Sequence, residues 1–209
     1  MKIELKNMSK NFGKQVIFDK FDLEINSGEI VAVMGKSGSG KTTLINILGL
    51  IENVGGGKIL YDNQPVTTER QKRKLLSEKI GFVFQNFGLI DNETIFDNLA
   101  LVKQLQSKKA KDKHLLIKQA LENVGLSDDF IGKKVFECSG GEQQRVAIAK
   151  ILLKDCSVIF ADEPTASLDT DNKKTVLSHL KKLHSSGKTV VIVSHDYGIG
   201  AYCDRVITI

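Results

Sequence analysis

The sequence predicts an α/β fold: a mainly parallel sheet covered by helices, an antiparallel β portion at the N-terminal end and a helical block inserted in the middle. Three observations carry that reading. Apolar β-type runs alternate with helical periodicity towards both ends of the chain, the pattern that βαβ crossovers impose. From about Asn86 to Lys154 the apolar residues recur with a helical period and no convincing strand lies among them. A glycine-rich stretch, Gly35 to Gly40, separates an apolar run from a helical one.

In order, Ile3 to Leu5, Val16 to Ile25 and Ile30 to Met34 read as strands, the last ended by Gly35. Lys41 to Leu50 carries Leu44, Ile45, Ile47 and Leu48 at the spacing of a helix buried against a sheet. Gly55-Gly56-Gly57 breaks the chain, Lys58 to Tyr61 reads as a strand entering a turn at Asp62-Asn63, and Ile80 to Phe84 as another strand. Helices are expected over Ile95 to Leu105, Lys113 to Val124 and Gly140 to Leu153. Strand and helix then alternate: Val158 to Ala161, a helix from about Asp171 to His184, Thr189 to Val193 and Arg205 to Ile209. With two prolines and no linker or repeat, one domain over 1–209 is expected, its core from 1–85 and 155–209 and its helical subdomain from 86–154.

Composition narrows the class. At 209 residues, 41% hydrophobic and 26% charged, the chain can bury a sizeable core without disulfides or a structural metal. Its three cysteines, Cys138, Cys156 and Cys203, lack metal-ligand spacing, and their odd number points to a reducing cytoplasm. Charged residues in Met1 to Lys10 exclude a secretory signal, no apolar run reaches the ~20 residues of a membrane span, and the last strand leaves no room for a regulatory C-terminal domain. The net charge of +5 is local: Lys103 to Lys118 holds six lysines and one acid, which accounts for all of it. A chain-wide nucleic-acid footprint is therefore disfavoured.

The chemistry starts at Gly35-Lys36-Ser37-Gly38-Ser39-Gly40-Lys41-Thr42, with Thr43 next along the helix. This is the phosphate-loop pattern in the context it requires, after a strand and before a helix. Glycines let the amides turn around an anion, the helix N-terminus adds positive character, Lys41 reaches the β- and γ-phosphates and Thr42 offers a hydroxyl to Mg²⁺. Val158 to Glu163 is an apolar strand ending in two acids at the ligand-binding edge of a parallel sheet. There Asp162 suits the Mg²⁺ shell and Glu163 the polarisation of water. These features alone also fit a small-molecule kinase.

The discriminator is Cys138-Ser139-Gly140-Gly141-Glu142-Gln143-Gln144-Arg145. It resembles the Leu-Ser-Gly-Gly-Gln signature of ATP-binding-cassette (ABC) ATPases, with Cys138 for Leu and Glu142 for Gln. The resemblance implies a RecA-like P-loop NTPase core and a signature, Ser139, Gly140 and Gly141, that binds the γ-phosphate held by a facing subunit. It also assigns Gln85 to the loop that touches Mg²⁺ or the attacking water, Ser167-Leu168-Asp169 to the dimer seam, His195 to the γ-phosphate switch and Phe12 to stacking on adenine. Unaided, Asp169 reads as a helix N-terminus, His195 as structural and Phe12 as a core residue.

By this resemblance the cofactors are ATP and Mg²⁺, and two chains, or a paired cassette, close on ATP. Separate transmembrane permease subunits would dock near Asn86 to Thr94, where Phe87, Leu89 and Ile90 are apolar, and the chain would lie peripherally on the inner face of the cell membrane. Glu142 to Arg145 and Ala161 to Thr165 resemble the branch of macrolide exporters, lipoprotein-releasing ATPases and cell-division cassettes. Gly88 to Thr94 leans towards the bacteriocin-export group. A non-transport ABC ATPase and a P-loop kinase are the alternatives; the former would carry a long heptad insertion or a second cassette, and the latter has no use for Ser139 to Gly141. The lysine segment reads as a solvated helix face, with anionic lipid headgroups as the sharper alternative.

Overall fold

The structure, a computed structural model, describes residues 1–166 and 168–209; Ser167 of the expected seam motif lies outside the described residues. Two sheets are built. An antiparallel sheet joins β1 (Ile3–Phe12), β2 (Gln15–Ile25), β4 (Gly56–Tyr61) and β5 (Gln64–Pro65) in the order β2-β1-β4-β5. The second sheet orders β6 (Ile80–Val83), β7 (Val158–Asp162), β8 (Thr189–Ser194), β3 (Ile30–Met34) and β9 (Arg205–Thr208) as β6-β7-β8-β3-β9, and every pairing in it is parallel. The helices are α1 (Lys41–Leu48), α2 (Glu69–Glu78), α3 (Ile95–Ala100), α4 (Lys103–Gln106), α5 (Ala110–Glu122), α6 (Gly140–Lys154) and α7 (Thr170–Ser185).

The parallel sheet is buried on both faces, which is why its strands read as unbroken apolar runs. Ile30, Ala32 and Met34 of β3, with Val190 and Ile192 of β8, join the core formed with α3 to α7; Val31, Val33, Val191 and Val193 turn to the core shared by α1 and the antiparallel sheet. Each such Val or Ile contributes about 1.5–3 kcal/mol relative to exposure. The sheet is thus a rigid platform, and its carboxyl edge carries the ends of β3, β7 and β8.

The structure departs from the sequence reading in four places. Gly56 and Gly57, expected to break the chain, already belong to β4. β1 runs on to Phe12 well beyond Leu5. The helix expected from Ile95 to Leu105 is two, because Val102 is extended (φ −61°, ψ 126°) and caps α4 after α3 has ended. The α2 helix is not among the expected elements: it is charged, and its two apolar residues, the partly buried Leu75 and Leu76, are adjacent and too few to show a helical period. Its start was nonetheless written in Thr68-x-x-Gln71, where Gln71 N–H donates to Thr68 Oγ1 (3.3 Å) and Thr68 N–H to Gln71 Oε1 (3.0 Å). In the lysine-rich segment Lys103 pairs with Glu78 and Lys118 with Asp128, while Lys108, Lys109 and Lys111 are exposed.

Among the described residues no helix is long and apolar enough to cross a membrane.

Candidate functional site

Strand β3 ends at Met34, and the loop from Gly35 turns the chain into α1. Gly40 caps that helix at φ 95°, where a Cβ would also stand 2.6 Å from Ile17 Cγ2, so both backbone and space require glycine. Lys41 is buried, its ammonium donating to the carbonyls of Gly35 and Lys36 at 2.9 Å each. The loop closes on itself through its own lysine.

A cavity of about 450 Å³ opens over this loop. It is lined by Ser37, Gly38, Gly40, Lys41, Thr42 and Thr43, by Phe12 and Ile17 from the antiparallel sheet, and by Gln85, Glu163 and His195 from the ends of β6, β7 and β8. Residues far apart in sequence meet here because the parallel sheet gathers its strand ends on one edge. Gly35, Lys36 and Ser39 complete the loop without lining the cavity. Phe12 is 50% exposed at the cavity wall instead of packed in the core, and Lys10 Nζ lies over its ring, 5.1 Å from the centroid.

Glu163 follows β7 directly, at φ 45°, with its N–H bonded to the Val193 carbonyl at 2.9 Å. Its carboxylate is held from two sides: Ser194 Oγ donates to Oε2 at 3.1 Å, and His195 Nδ1 meets Oε1 at 2.8 Å. Ser194 is buried and in turn accepts the Asp196 N–H at 3.0 Å. Asp162 lies behind Glu163. Burial pushes its carboxyl above the usual range, the charge of Glu163 adds to that, and Thr42 and Lys41 oppose it. Asp162 Oδ1 is buried with no hydrogen-bond partner among the described residues.

Ser139, Gly140, Gly141 and Asp169 are not brought to this cavity. Ser139 caps α6 in a capping box: Glu142 N–H donates to Ser139 Oγ (3.4 Å) and Ser139 N–H to Glu142 Oε2 (2.7 Å). Ser139 and Gly140 are exposed, whereas Cys138 is buried as a small apolar residue. The backbone hydrogen bond from Ser139 holds the Glu142 carboxyl below the usual range. Asp169 caps α7, accepting from the N–H groups of Asp171 and Asn172, as its sequence context alone implies.

The loop after Gln85 is also set by its neighbours. Buried Asn98 accepts the Ile90 N–H at 2.7 Å and donates to the carbonyls of Ile90 and Thr94 at 3.0 Å each. Beside this loop a second cavity, about 320 Å³, is lined by Phe82, Phe84, Phe87, Leu101, Lys150 and Lys154, among others. Sequence reasoning missed Ile17, Ser194 and Asn98. Ile17 stands in an expected strand whose facing was not fixed, Ser194 next to a singled-out His195, and Asn98 inside an expected helix.

A phosphate loop, an acid pair at the adjoining strand end and a separate Ser-Gly-Gly helix start define a nucleotide-binding cassette. The family model described as "ABC transporter" matches residues 18–166, and the chain belongs to that family. It is 40% identical over 214 residues to the macrolide export ATP-binding/permease protein MacB of Neisseria meningitidis, covering 99% of this chain and 33% of that protein. The chain thus spans about a third of the length of the curated relatives it matches. Among solved structures it is similar to a bacterial ABC transporter cassette determined as a dimer (34% identity, TM-score 0.90, 99% of this chain and 94% of that one). It is also similar to a dimeric ATP-binding cassette in a post-hydrolysis state bound to ADP and Pi (34% identity, TM-score 0.89, 99% and 94%).

Proposed function

We propose that the chain binds and hydrolyses ATP as a paired ABC cassette and drives a membrane permease from the inner face of the cell membrane. Its cargo is an exported peptide, bacteriocin or other antimicrobial-type or lipophilic molecule. One observation carries the enzymatic reading: the Glu163 carboxylate is fixed by Ser194 and His195 in the same cavity as the phosphate loop.

In this reading the loop amides and Lys41 take the phosphates. The ammonium exchanges the Gly35 and Lys36 carbonyls for phosphate oxygens, so a bond pair already formed is replaced rather than created. Phe12 stacks on the adenine, and Ile17 adds an apolar wall. Glu163 accepts the proton of the attacking water as its oxygen joins the γ-phosphorus and the bridging oxygen departs with ADP. His195 uses Nδ1 to hold Glu163, which leaves Nε2 to face the γ-phosphate. Ser139, Gly140 and Gly141 serve the nucleotide of the facing copy, and Asp169 lies at the seam.

The residues present fit Mg²⁺. Asp162 offers an unpartnered buried oxygen, Thr42 a hydroxyl and Gln85 an amide oxygen, a hard donor set with few carboxylates that leaves room for retained waters. Bound there, the ion would neutralise charge on the phosphates.

The aromatic cavity beyond Gln85 supports permease docking around Asn86 to Thr94, since it presents Phe87 and Leu101 next to the loop that carries Gln85. Leu89 packs into the core, so Phe87 and the exposed Ile90 are the contact residues there.

The test is Glu163→Gln. ATP binding should persist while hydrolysis falls about 100-fold or more and a nucleotide-bound dimer accumulates. Near wild-type turnover would refute the role of Glu163, and transfer of the γ-phosphate to an added acceptor would favour a kinase.

A further inference from the structure

Asn172, in the first turn of α7, joins three features that the sequence keeps apart. Its Nδ2 donates to Asp169 Oδ2 at 2.6 Å. Its Oδ1 accepts from Arg145 Nη1, on α6, at 2.9 Å. Its amide also lies against Gly141: a Cβ on that glycine would stand 2.7 Å from Asn172 Cγ and Oδ1 and 3.0 Å from Nδ2. Gly141 is therefore small for a reason inside the chain, whatever approaches it from outside.

We propose that Asn172 is a positioning residue that ties the Ser139 to Gly141 helix start to the cap of α7, and thereby couples the two nucleotide sites of the paired cassette. The proposal rests on the paired-cassette reading above. Glu163 is anchored to Val193 by its N–H (2.9 Å). The Asp169 carboxylate is divided: Oδ1 accepts from the N–H groups of Asp171 (3.1 Å) and Asn172 (2.9 Å), and Oδ2 takes the Asn172 amide. A shift of the α7 cap thus reaches Asn172 through these hydrogen bonds and Gly141 through contact.

Arg145 makes the link stiff. Its Nε is buried without a partner among the described residues, so the bond to the Asn172 carbonyl is what satisfies a guanidinium that is otherwise poorly paired. Neither Asn172 nor Arg145 lines the cavity over the phosphate loop. Their effect on turnover must therefore pass through Gly141 and Asp169. In a pair, Glu163 acts on its own chain's nucleotide while Ser139 to Gly141 meet the partner's, so one side chain connects a hydrolysis site to the site opposite.

The experiment uses the full chain. Steady-state hydrolysis is followed against ATP concentration, and ADP binding, which lacks a γ-phosphate, reports the chain's own phosphate loop. For Asn172→Ala we expect kcat to fall about 10-fold and the Hill coefficient to drop from about 2 towards 1, with ADP affinity within about twofold of wild type. Arg145→Ala breaks the same link from α6 and should reproduce both losses, and Arg145→Ala/Asn172→Ala should be no worse than either single variant. An Asn172→Ala variant with unchanged kcat and Hill coefficient overturns the proposal, as do an equal loss of ADP affinity and losses that multiply in the double variant. Wild-type protein that hydrolyses ATP with a Hill coefficient of 1 overturns the paired-cassette reading itself, and is seen before any variant is made.

Discussion

Ser194 offers the sharpest test of how Glu163 is held. It is 1% exposed and makes two hydrogen bonds through one hydroxyl, donating to Glu163 Oε2 at 3.1 Å and accepting the Asp196 N–H at 3.0 Å. Ser194→Ala removes both. A hydrogen bond to a charged group is worth about 1.5–3 kcal/mol, and about 1.4 kcal/mol of misplacement in the transition state is a tenfold loss of rate. Because His195 still holds Oε1 (2.8 Å), the carboxylate pivots instead of leaving. The expected kcat is therefore about 10- to 50-fold below wild type, a smaller loss than that from Glu163→Gln. Ser194 does not line the cavity, so the KM for ATP should stay put. The unpaired Asp196 N–H costs about 1 kcal/mol of stability, or roughly 2–4 °C in Tm for a chain of this size. Phosphate release and a thermal melt measure both effects. A kcat within about twofold of wild type, or a KM that rises in step with the fall in kcat, would refute this account of Glu163.

Two further outcomes follow from charge. The folded-state pKa of Asp162 is raised by burial and by Glu163, so its ionisation opposes folding: stability is full below the unfolded carboxyl pKa and is lost as pH rises through the folded value. Asp162→Asn should accordingly raise the Tm of the nucleotide-free protein at pH 7 by roughly 2–4 °C, with the gain vanishing at pH values below the unfolded carboxyl pKa, near 4; a lower Tm at neutral pH would contradict this. Glu142, whose carboxyl the Ser139 N–H holds below the usual range, places a negative charge at the helix start that is proposed above to meet a facing γ-phosphate. Glu142→Gln keeps the capping geometry without the charge, and should lower the ATP concentration needed for pairing by about 3- to 10-fold at low salt, as read by light scattering. No change would show that the charge is screened in the assembly.

What the sequence made legible was local chemistry. Lys41, Thr42 and the glycines before them are readable because one turn of backbone makes the phosphate cradle, and the β7 run ending in Asp162-Glu163 is readable because burial on both faces leaves an unbroken apolar strand. Phe12 shows where local reading stops. Stacking and core packing require the same ring, and only the position of β1 at the cavity wall, with half the ring exposed, separates them. The α2 helix was illegible for another reason: it packs on the core through only Leu75 and Leu76, too few apolar residues to set a period, and the Thr68-Gln71 box is what marks it. Ser194 and Asn98 act through partners distant in sequence or through loop carbonyls, and such pairings leave no pattern in a single chain.

The same distinction explains why the cavity and the Ser139 helix start are separate within one chain. Gln85, Glu163 and His195 converge because parallel strands end on a common edge, so topology alone delivers them to the phosphate loop. Ser139 belongs to α6, whose apolar residues, Val146 to Ile151, are fixed against the helical block and the far face of the sheet. That packing fixes where its N-terminus lies, and Ser139 to Gly141 do not line the cavity over the chain's own loop. A helix start with an exposed hydroxyl at Ser139 and an exposed glycine at Gly140 is suited to an anion, and among the described residues the carboxylate bonded to it is the capping Glu142. Two solved structures similar to this chain are dimeric cassettes, which supports the proposed completion of the site by a second copy. Asn172 follows from the same constraint: it touches Gly141 and the Asp169 cap but not the cavity, so the coupling proposed for it has to pass through those two residues.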